Sequence, residues 1–436
     1  MIQVREYATL STDTSVAPSL DLGVVSQSTF DWLVSLAGKS DLQASISVTG
    51  SKSLKLDSYV GYLESPSGEA IEVLPKTGLG YQTPDSARQI LQKMLRSAMQ
   101  LPPRETTPAQ LSRMSTPLHE WIFAQFLGEL KTLVTRGLRF DYERTEEESS
   151  FIRGQLNVAA QQRQHPGRAD RFHIRHDLYT PNRIENRLLK TALDYTFKKC
   201  RHPENWRVAN ELTHIMESIE PARDPLREMA KWSSGRLVQN YAAIKPWCQL
   251  VFEKLNPNFQ QGKNLGIALM FPMERLFEEH VAAILGRNTR SLWQLKAQAR
   301  SQSLVSHQPL WSNQEHEWFN LRPDLMLYKG NDCQVLDTKW KLLDQNEASG
   351  EKKYLLSQAD FYQMYAYGHK YQNSQGDMML IFPKHEHFTQ ALPCFRFDND
   401  FSLWVVPFCV EADWLVAGGW ETQFPGLSEA SRQSVC

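Results

Sequence analysis

The sequence predicts a multidomain α+β protein with a β-rich N-terminal domain over residues 1–80, a mainly helical middle region over 81–262 and an α/β domain over 263–436. Two observations predict this arrangement, the length and the changes in hydrophobic periodicity. A chain of 436 residues has room for about three domains. Apolar residues alternate with period two near the N-terminus, follow helical spacing after residue 83, and form mixed strand and helix patterns after residue 272.

The composition excludes several classes of protein. The 48 lysines and arginines nearly balance the 49 aspartates and glutamates, which argues against a basic chain that coats nucleic acid and against an acidic disordered chain. A hydrophobic content of 41% is typical of a globular protein, and no apolar run reaches the roughly 18 residues of a membrane span. The N-terminus shows no secretory signal, and the six cysteines form no CxxC pair. We therefore expect a soluble cytoplasmic protein.

Local patterns justify the first two regions. Ile46 and Val48 alternate with serines, and the runs YVGYLE and AIEVLP flank turn-forming residues 65–68, which predicts a β-hairpin. Helical spacing begins at Pro84, and a second helix is predicted over about 117–136. The first region is therefore predicted to be a small β domain, and helices follow it.

The middle region contains a basic segment. Residues 151–201 hold 11 lysines and arginines against 4 aspartates and glutamates. Two interpretations remain open: a solvated helical face with a loop, or a surface that contacts DNA phosphates. In the second interpretation the predicted DNA contacts are Arg153, Arg168, Arg171 and Arg175.

The strongest chemical signal is the stretch RPDLMLYKGNDCQVLDTKWK, residues 322–341. Two strand-like runs flank a central Gly-Asn dipeptide, which suits a two-residue hairpin turn because both residues tolerate positive φ. The register set by this turn places Asp324 directly opposite Asp337, with Cβ atoms about 5 Å apart. Lys339 lies two residues beyond Asp337 and therefore on the same face of the strand.

Two carboxylates and one ammonium group thus converge at one end of the predicted hairpin. Opposed like charges destabilise a sheet unless one carboxyl is protonated or a cation lies between them. Carboxylate oxygens are hard ligands that favour Mg²⁺ or Mn²⁺. We predict a site for metal-assisted phosphodiester hydrolysis, in which Asp324 and Asp337 are catalytic metal ligands. Lys339 would orient or deprotonate the attacking water or stabilise charge on the phosphate.

A third metal ligand is predicted on the helix over about 272–285. Phe277 and Val281 lie in the buried stripe of this helix. Glu278 flanks that stripe and is the predicted ligand, while Glu274 stays open as an alternative.

These motifs, taken in chain order, resemble the PD-(D/E)xK nuclease superfamily. The PD and DTK motifs occupy residues 323–324 and 337–339, and Glu278 precedes them. A QxxxY motif at Gln363 and Tyr367, one helical turn apart, is similar to the RecB-like branch of the superfamily. The resemblance implies a restriction-endonuclease-like α/β domain in which Gln363 and Tyr367 support the catalytic residues or position DNA.

The flanking segments resemble the McrC family, the nuclease subunits of McrBC-type modification-dependent restriction systems. Similar segments are MERLFEEHV (273–281), IEVLPKTG (71–78), FIRGQLNV (151–158) and NRIENRLLKTAL (182–193). The resemblance implies a Mg²⁺-dependent endonuclease that cuts modified double-stranded DNA and stimulates a hexameric AAA+ GTPase of the McrB type. Residues 1–80 would contact that ring. The partner would read the mark, so the resemblance does not identify the modified base, for which 5-methylcytosine is one candidate.

Two other functions stay open at this point. The chain could be a regulatory adaptor of a ring NTPase with a vestigial nuclease fold, although an intact acidic cluster argues against this because the cluster is electrostatically costly. It could also be a stand-alone RecB-like repair nuclease. We expect no nucleotide to bind this chain, because the GKS sequence at 38–40 has Leu33 where a phosphate-binding loop needs glycine.

Overall fold

The structure is a computed structural model of the chain, and it describes residues 1–38, 45–77, 83–99, 116–168, 170–233, 235–252, 266–298, 302–330, 332–398 and 400–432. The strands in this part of the chain are β1 (Ile2–Arg5), β2 (Thr9–Ser11), β3 (Leu22–Val24), β4 (Ile46–Val48), β5 (Ser53–Leu56), β6 (Tyr59–Glu64), β7 (Ala70–Leu74), β8 (Asp141–Ser149), β9 (Gln155–Leu156), β10 (Phe172–Thr180), β11 (Ile267–Pro272), β12 (Gln294–Ala297), β13 (Gln302–His307), β14 (His316–Leu321), β15 (Leu325–Lys329), β16 (Asp332–Thr338), β17 (Gly376–Pro383), β18 (Phe395–Asp398), β19 (Phe401–Cys409), β20 (Trp414–Val416) and β21 (Ser431–Arg432). The α-helices there are α1 (Gln27–Ala37), α2 (Pro84–Ala98), α3 (Leu118–Arg136), α4 (Val158–Gln162), α5 (Ile184–Lys199), α6 (Pro203–Ile215), α7 (Pro225–Met229), α8 (Lys245–Leu250), α9 (Met273–Arg287) and α10 (Gln358–Gln372). None of these helices combines the length and the apolar character needed to cross a lipid bilayer.

The chain divides into two compact units. The first unit combines residues 1–115 with residues 270–436, and the second comprises residues 116–269. The N-terminal β-rich segment and the C-terminal segment therefore share one compact body, where the sequence predicts two domains. The predicted boundaries at residues 80 and 262 themselves lie outside the described residues.

The N-terminal part of the first unit contains two small sheets, with strand orders β3-β2-β5-β4 and β1-β7-β6-β11. The predicted hairpin is confirmed, because β6 and β7 are antiparallel and the N–H of Gly68 donates to the carbonyl of Ser65 at 2.9 Å. Gly68 has a φ of +84°, a conformation that favours glycine. Helix α2 begins where the sequence predicts, with Thr83 as its N-cap and Pro84 in the first turn.

The C-terminal part of the first unit is built on the largest sheet. Its strand order is β12-β15-β16-β17-β19-β20-β21, with β18 also paired to β19. Strands β12, β15 and β16 are antiparallel neighbours, whereas β16, β17 and β19 run parallel. Helix α10 connects the parallel strands β16 and β17, which is the crossover connection that parallel strands require.

Helices α9 and α10 pack through the faces that the sequence assigns to the core. Phe277 and Val281 of α9 are fully buried, as their spacing predicts. Met364 and Tyr367 of α10 join the apolar cluster formed by the sheet. Helix α10 lies very close to β19 at Gly368, where a Cβ atom would lie 2.1 Å from the ring of Phe401. Only glycine allows this approach.

The second unit differs from the predicted, mainly helical region. Helix α3 confirms the helix predicted over about 117–136, but residues 141–180 contain an antiparallel sheet with the order β8-β10-β9. We call β8 and β10 with the chain between them the β arm. Most of its side chains are exposed, so its strands lack the apolar alternation that would reveal them in the sequence. Opposite charges pair across the strands instead, as Arg175 and Glu146 do.

The segment NRIENRLLKTAL forms the start of α5 and anchors the base of the β arm. Asn186 is fully buried, and its amide nitrogen donates to the carbonyls of Arg139 and Pro181 at 2.9 and 2.8 Å. The hydroxyl of Tyr241 donates to the amide oxygen of Asn186 at 2.8 Å. This segment therefore has a structural role within the second unit.

Candidate active site

The hairpin of β15 and β16 brings the predicted acidic residues together. Lys329 pairs with Asp332, and successive pairs continue outward to Leu325 opposite Leu336. The next pair in this register consists of Asp324 and Asp337, so the predicted register is confirmed. Gly330 in the turn has a φ of +61°, which fits the tight turn predicted there.

Asp337 is a fully buried carboxylate at the end of β16. Its exposed fraction is 0%, and its Oδ1 atom has no hydrogen-bond partner among the described residues. The Nζ atom of Lys339 lies 2.7 Å from the Oδ2 atom of Asp337. Burial raises the pKa of Asp337 above its ordinary value, the charge of Asp324 raises this pKa further, and Lys339 partly opposes the shift.

Asp324 is held by the strand opposite. Its Oδ2 atom accepts hydrogen bonds from the backbone N–H and the hydroxyl of Thr338, at 2.8 and 2.7 Å. Thr338 lies between the two predicted catalytic residues of the DTK motif, and its role was not predicted. These two bonds fix the orientation of the Asp324 carboxylate beside Asp337.

Glu278 on helix α9 lies next to this pair of aspartates. It is half-buried, and its pKa is raised by burial and then by the charge of Asp324. The amide of Gln298 donates to its Oε1 atom at 3.3 Å. Glu274 is exposed on the same helix, and its charge acts on Tyr7. The structure thus brings Glu278 into the electrostatic reach of Asp324.

Lys339 is fixed by side chains of helix α10. Its Nζ atom donates to the Oε1 atom of Gln363 at 3.0 Å. The amide nitrogen of Gln363 donates to the hydroxyl of Tyr367 at 2.6 Å, and that hydroxyl donates to the carbonyl of Arg322 at 3.0 Å. The Gln363 and Tyr367 pair therefore connects the lysine to the segment that precedes Asp324.

The charge state of Lys339 follows from its neighbours. Burial lowers the pKa of Lys339, but the charge of Asp337 and the hydrogen bond to it raise the pKa more. The pKa of Lys339 thus lies above its ordinary value, and the side chain is an ammonium group at neutral pH. Such a group stabilises negative charge that develops on a bound phosphate.

The acidic residues of the site are of the type that binds a divalent metal ion. Within the described ranges, no three His, Cys, Asp or Glu side chains already lie close enough together to hold a metal ion. The donor chemistry nevertheless fits a hard divalent cation, because the site offers carboxylate oxygens and the buried Oδ1 atom of Asp337 has no hydrogen-bond partner within the described part of the chain. Asp324, Asp337 and Glu278 are the residues that could supply the ligands.

The four predicted DNA-contacting arginines lie elsewhere, in and near the β arm of the second unit. Arg175 pairs with Glu146 at 2.5 Å, and Arg168 lies 3.4 Å from Glu148. Arg171 is 3.9 Å from Asp170. Arg153 is exposed and, among the described residues, has no ion-pair partner. Acidic residues of the arm thus pair with three of the four predicted arginines, Arg168, Arg171 and Arg175.

The fold and the site define an α/β protein with a buried acidic centre at the end of a hairpin in its largest sheet. The family model described as "McrBC 5-methylcytosine restriction system component" matches residues 54–383, well over half of the chain. The chain therefore belongs to the McrBC family of restriction system components, and the resemblance predicted from its sequence is confirmed.

Two solved structures are similar to this chain. The first is a chain in a refined half-complex from a tetradecameric assembly of Thermococcus gammatolerans McrB AAA+ hexamers with bound McrC, with a TM-score of 0.66, 16% identity and 94% of each chain covered. The second is a chain in the Thermococcus gammatolerans McrBC complex, with a TM-score of 0.49, 17% identity, and 66% of this chain and 87% of that chain covered. The first likeness shows a shared fold. No curated protein matches this sequence.

Proposed function

We propose that this chain is the Mg²⁺-dependent DNA endonuclease subunit of an McrBC-type restriction system. The observation that carries the proposal is the convergence of Asp324, Asp337 and Lys339 at one end of the β15–β16 hairpin. Membership of the McrBC family supports a role in restriction. In this proposal the large sheet and helices α9 and α10 form the PD-(D/E)xK nuclease domain that the sequence predicts.

The metal would be held by carboxylates of the first unit. Asp324, Asp337 and Glu278 would hold Mg²⁺ or Mn²⁺, which suit hard oxygen ligands. When bound, such an ion supplies a Lewis acid for phosphodiester hydrolysis. Asp337 contributes most to its retention, because a buried carboxylate with an unpartnered oxygen gains more from a cation than an exposed one does.

Lys339 would act on the phosphate that is attacked. Its ammonium group donates hydrogen bonds to a phosphate oxygen and stabilises the negative charge that develops there. Gln363 and Tyr367 keep the lysine in place without removing its charge, since both are neutral. They support the catalytic residues in this proposal, which is one of the two roles that the sequence left open.

We further propose that the partner is an AAA+ GTPase of the McrB type, which recognises a modified base such as 5-methylcytosine in double-stranded DNA. The similar Thermococcus gammatolerans structure contains McrB AAA+ hexamers with bound McrC, which supports a ring-shaped partner. Residues 1–80 would contact that ring and stimulate its GTPase. Arg153, Arg168, Arg171 and Arg175 would contact DNA, with Arg153 contributing most because it is unpaired among the described residues.

The test is cleavage of a methylated plasmid by the chain together with its cognate AAA+ GTPase in Mg²⁺. Asp337→Ala should reduce the cleavage rate by at least about 100-fold, because it removes a metal ligand from the centre of the site. Asp332→Ala is the matched control, since Asp332 is an exposed aspartate at the other end of the same strand. It should cut at the wild-type rate.

The same assay separates nuclease activity from regulation. Asp337→Ala should still stimulate the GTPase of the partner, because the substitution leaves residues 1–80 intact. Undiminished cleavage by Asp337→Ala, or equal loss in Asp332→Ala, contradicts the proposed site. Cleavage by the wild type without any AAA+ partner would favour a stand-alone nuclease.

A further inference from the structure

A cavity of about 450 Å³ lies beside Glu278 in the first unit. Helix α9 lines it with Glu278, Glu279, Ala282, Ala283 and Arg287, which spread over about half of the helix circumference at about 100° per residue. The ends of α2 and β12 form the rest of the wall. The volume is within the range of roughly 300 to 1,000 Å³ that is usual for ligand sites. We call this cavity the alanine groove.

Gln298 connects the alanine groove to the acidic centre. This residue follows β12, lines the groove and has a φ of +45°, which is strained for any residue other than glycine. Its backbone N–H donates to the carbonyl of Asp324 at 2.8 Å, and its side chain donates to Glu278 at 3.3 Å. Backbone strain of this kind persists where surrounding contacts determine the conformation, and it is concentrated at functional sites. The groove therefore opens beside the carboxylate of Glu278, and Gln298 connects its wall to the backbone of Asp324.

The charges along the groove favour an anionic occupant away from the acidic centre. Glu279 also lines the groove, but Arg275 binds its carboxylate at 2.8 Å and offsets the charge. Arg287 is exposed at the other end and, within the described residues, has no ion-pair partner. An exposed guanidinium group of this kind is suited to bind a phosphate, because its fork of N–H donors matches phosphate oxygens.

The length and the walls of the groove suit an extended chain. Glu278 and Arg287 are nine residues apart, which corresponds to about 14 Å along a helix that rises about 1.5 Å per residue. One strand of B-DNA carries a phosphate every 3.4 Å or so along the helix axis, so the groove spans roughly four nucleotides. Between the two ends, four of the lining residues carry only a methyl group, which leaves room for sugars: Ala98, Ala282, Ala283 and Ala297. Ser97 and the Arg275-paired Glu279 are the polar residues of this stretch.

We propose that the alanine groove binds the backbone of the DNA strand that is cut, next to the scissile phosphate. Gln298 lies at the end of the groove nearest the acidic centre, and Arg287 contacts a phosphate at the far end. This inference rests on the proposed nuclease function and adds to it the path of the substrate strand. Neither residue was predicted from the sequence, since a single glutamine and a single arginine form no motif.

The experiment measures binding of a fluorescein-labelled methylated DNA duplex to the full chain by fluorescence anisotropy, with Ca²⁺ in place of Mg²⁺ to prevent cleavage. Ala283→Leu fills the groove and should raise the Kd about tenfold. Arg287→Gln should raise the Kd, because one phosphate contact is lost. The negative slope of the logarithm of the association constant against the logarithm of the salt concentration should become shallower by about one. The exposed Arg287 tolerates substitution even if the leucine variant folds poorly.

The matched control is Arg396→Gln, which changes an exposed arginine on β18 that does not line the groove. Its Kd should stay within about twofold of the wild type. Calorimetric titration with Mn²⁺ in the absence of DNA should give the same affinity for all variants, because none of them removes a carboxylate. A lower Mn²⁺ affinity in Arg287→Gln would mean that the substitution acts through the metal site and would overturn the inference.

The outcomes distinguish the groove from the proposed function. If wild type, Ala283→Leu and Arg287→Gln bind the duplex equally, the groove inference fails while the nuclease proposal stands. If these variants bind DNA normally but lose stimulation of the partner GTPase, the groove contacts protein and the inference also fails. A wild-type chain that binds no duplex overturns the groove inference, while cleavage with the cognate GTPase decides the DNA substrate separately.

Discussion

The carboxyl of Glu6 is a buried group that supports the candidate active site from a distant part of the chain. Its Oε1 atom accepts hydrogen bonds from the backbone N–H of Lys76 and the indole N–H of Trp340, at 2.7 and 2.8 Å. Trp340 directly follows Lys339, and its ring lies 5.3 Å from that of Phe277, which precedes Glu278. Glu6 therefore fixes the side chain that directly follows Lys339 and packs against helix α9.

Glu6 should make the stability of the first unit depend on pH. Burial raises the pKa of Glu6 to about 7, while the unfolded chain has the ordinary value of 4.5. The folded chain thus binds more protons between these values, and the free energy of unfolding decreases as the pH rises from about 4.5 to 7. The total effect is about 3 kcal/mol. Glu6→Gln removes this dependence because an amide does not titrate.

The measurement compares the melting temperatures of wild type and Glu6→Gln at several pH values. The glutamine variant should melt at nearly the wild-type temperature at pH 5 and above it at pH 8. Gln keeps an oxygen that accepts from Trp340, so packing changes little. A difference in melting temperature that stays constant from pH 5 to 8 would contradict the raised pKa of Glu6.

The sequence predicts the part of the site that local geometry determines. Asp324 and Asp337 follow from the turn at Gly330 and the alternation of strand residues, and the structure has that register. Glu6 and Gln298 could not be predicted in this way. Their contacts depend on tertiary packing, since Glu6 lies 334 positions before Trp340.

Among the secondary-structure elements, helix α10 organises the site with three side chains spaced four residues apart. Gln363 and Tyr367 connect Lys339 to the carbonyl of Arg322. Tyr371 continues the series, because its hydroxyl donates to the carbonyl of Leu321 and accepts from the N–H of Gln302, both at 2.8 Å. One face of the helix thus holds the segment that leads to Asp324.

Removing the central hydroxyl of this series should impair cleavage without unfolding the chain. Tyr367→Phe keeps the ring in its core position but removes the bonds to Gln363 and the carbonyl of Arg322. We expect the cleavage rate to decrease by about tenfold or more, as is usual for residues that support metal ligands. The rate is measured with the cognate GTPase and methylated DNA.

The control for this prediction is Tyr365→Phe on the same helix. Tyr365 is exposed, and its ring packs on Phe397 and Phe401 away from Lys339. It should cut at the wild-type rate, and both variants should melt within a few degrees of the wild type. Equal cleavage by both variants would exclude a supporting role for Tyr367.

The β arm shows why some elements escape prediction from sequence. Strand β8 has the sequence DYERTEEES, in which charge dominates and no apolar residue marks a buried face. Its stability comes from backbone pairing with β10 and from cross-strand ion pairs such as that of Arg175 and Glu146. Helices α3 and α5 were predictable because each buries an apolar stripe.

At the scale of the whole molecule, the two ends of the chain build the first unit together. Glu6 accepts from Trp340, and the carbonyl of Ser58 accepts from the N–H of Met273 at 3.0 Å. On helix α2, Lys93 pairs with Asp413 at 2.8 Å. The β-rich segment that the sequence presents as a separate domain is therefore part of the support of the candidate nuclease site.

Deletion of residues 1–80 should prevent the rest of the first unit from folding. The deletion leaves the indole N–H of Trp340 and the backbone N–H of Met273 without partners, and each unpaired buried group costs about 1–3 kcal/mol. It also removes β6 and β7 with their buried side chains. Soluble yield and the cooperativity of thermal unfolding by circular dichroism are the measurements.

The full-length Glu6→Gln variant is the comparison for the truncated chain, because it changes one of these contacts and keeps the fold. It should unfold cooperatively, whereas the truncated chain should lose the transition of the first unit and keep only that of the second unit. A truncated chain whose first unit still melts cooperatively near the wild-type temperature would show that the rest of this unit folds without the β-rich segment.

The hairpin of β15 and β16 also has a consequence for the order of folding events. Asp324, Asp337 and Lys339 lie within 16 consecutive residues, so they meet through contacts of short sequence separation, which form early. Isolated hairpins form in about 1–10 μs, well before distant segments assemble. The two aspartates therefore approach each other in the presence of Lys339, which offsets their repulsion. The chain does not have to wait for helix α10 or for a metal ion to make its most repulsive contact.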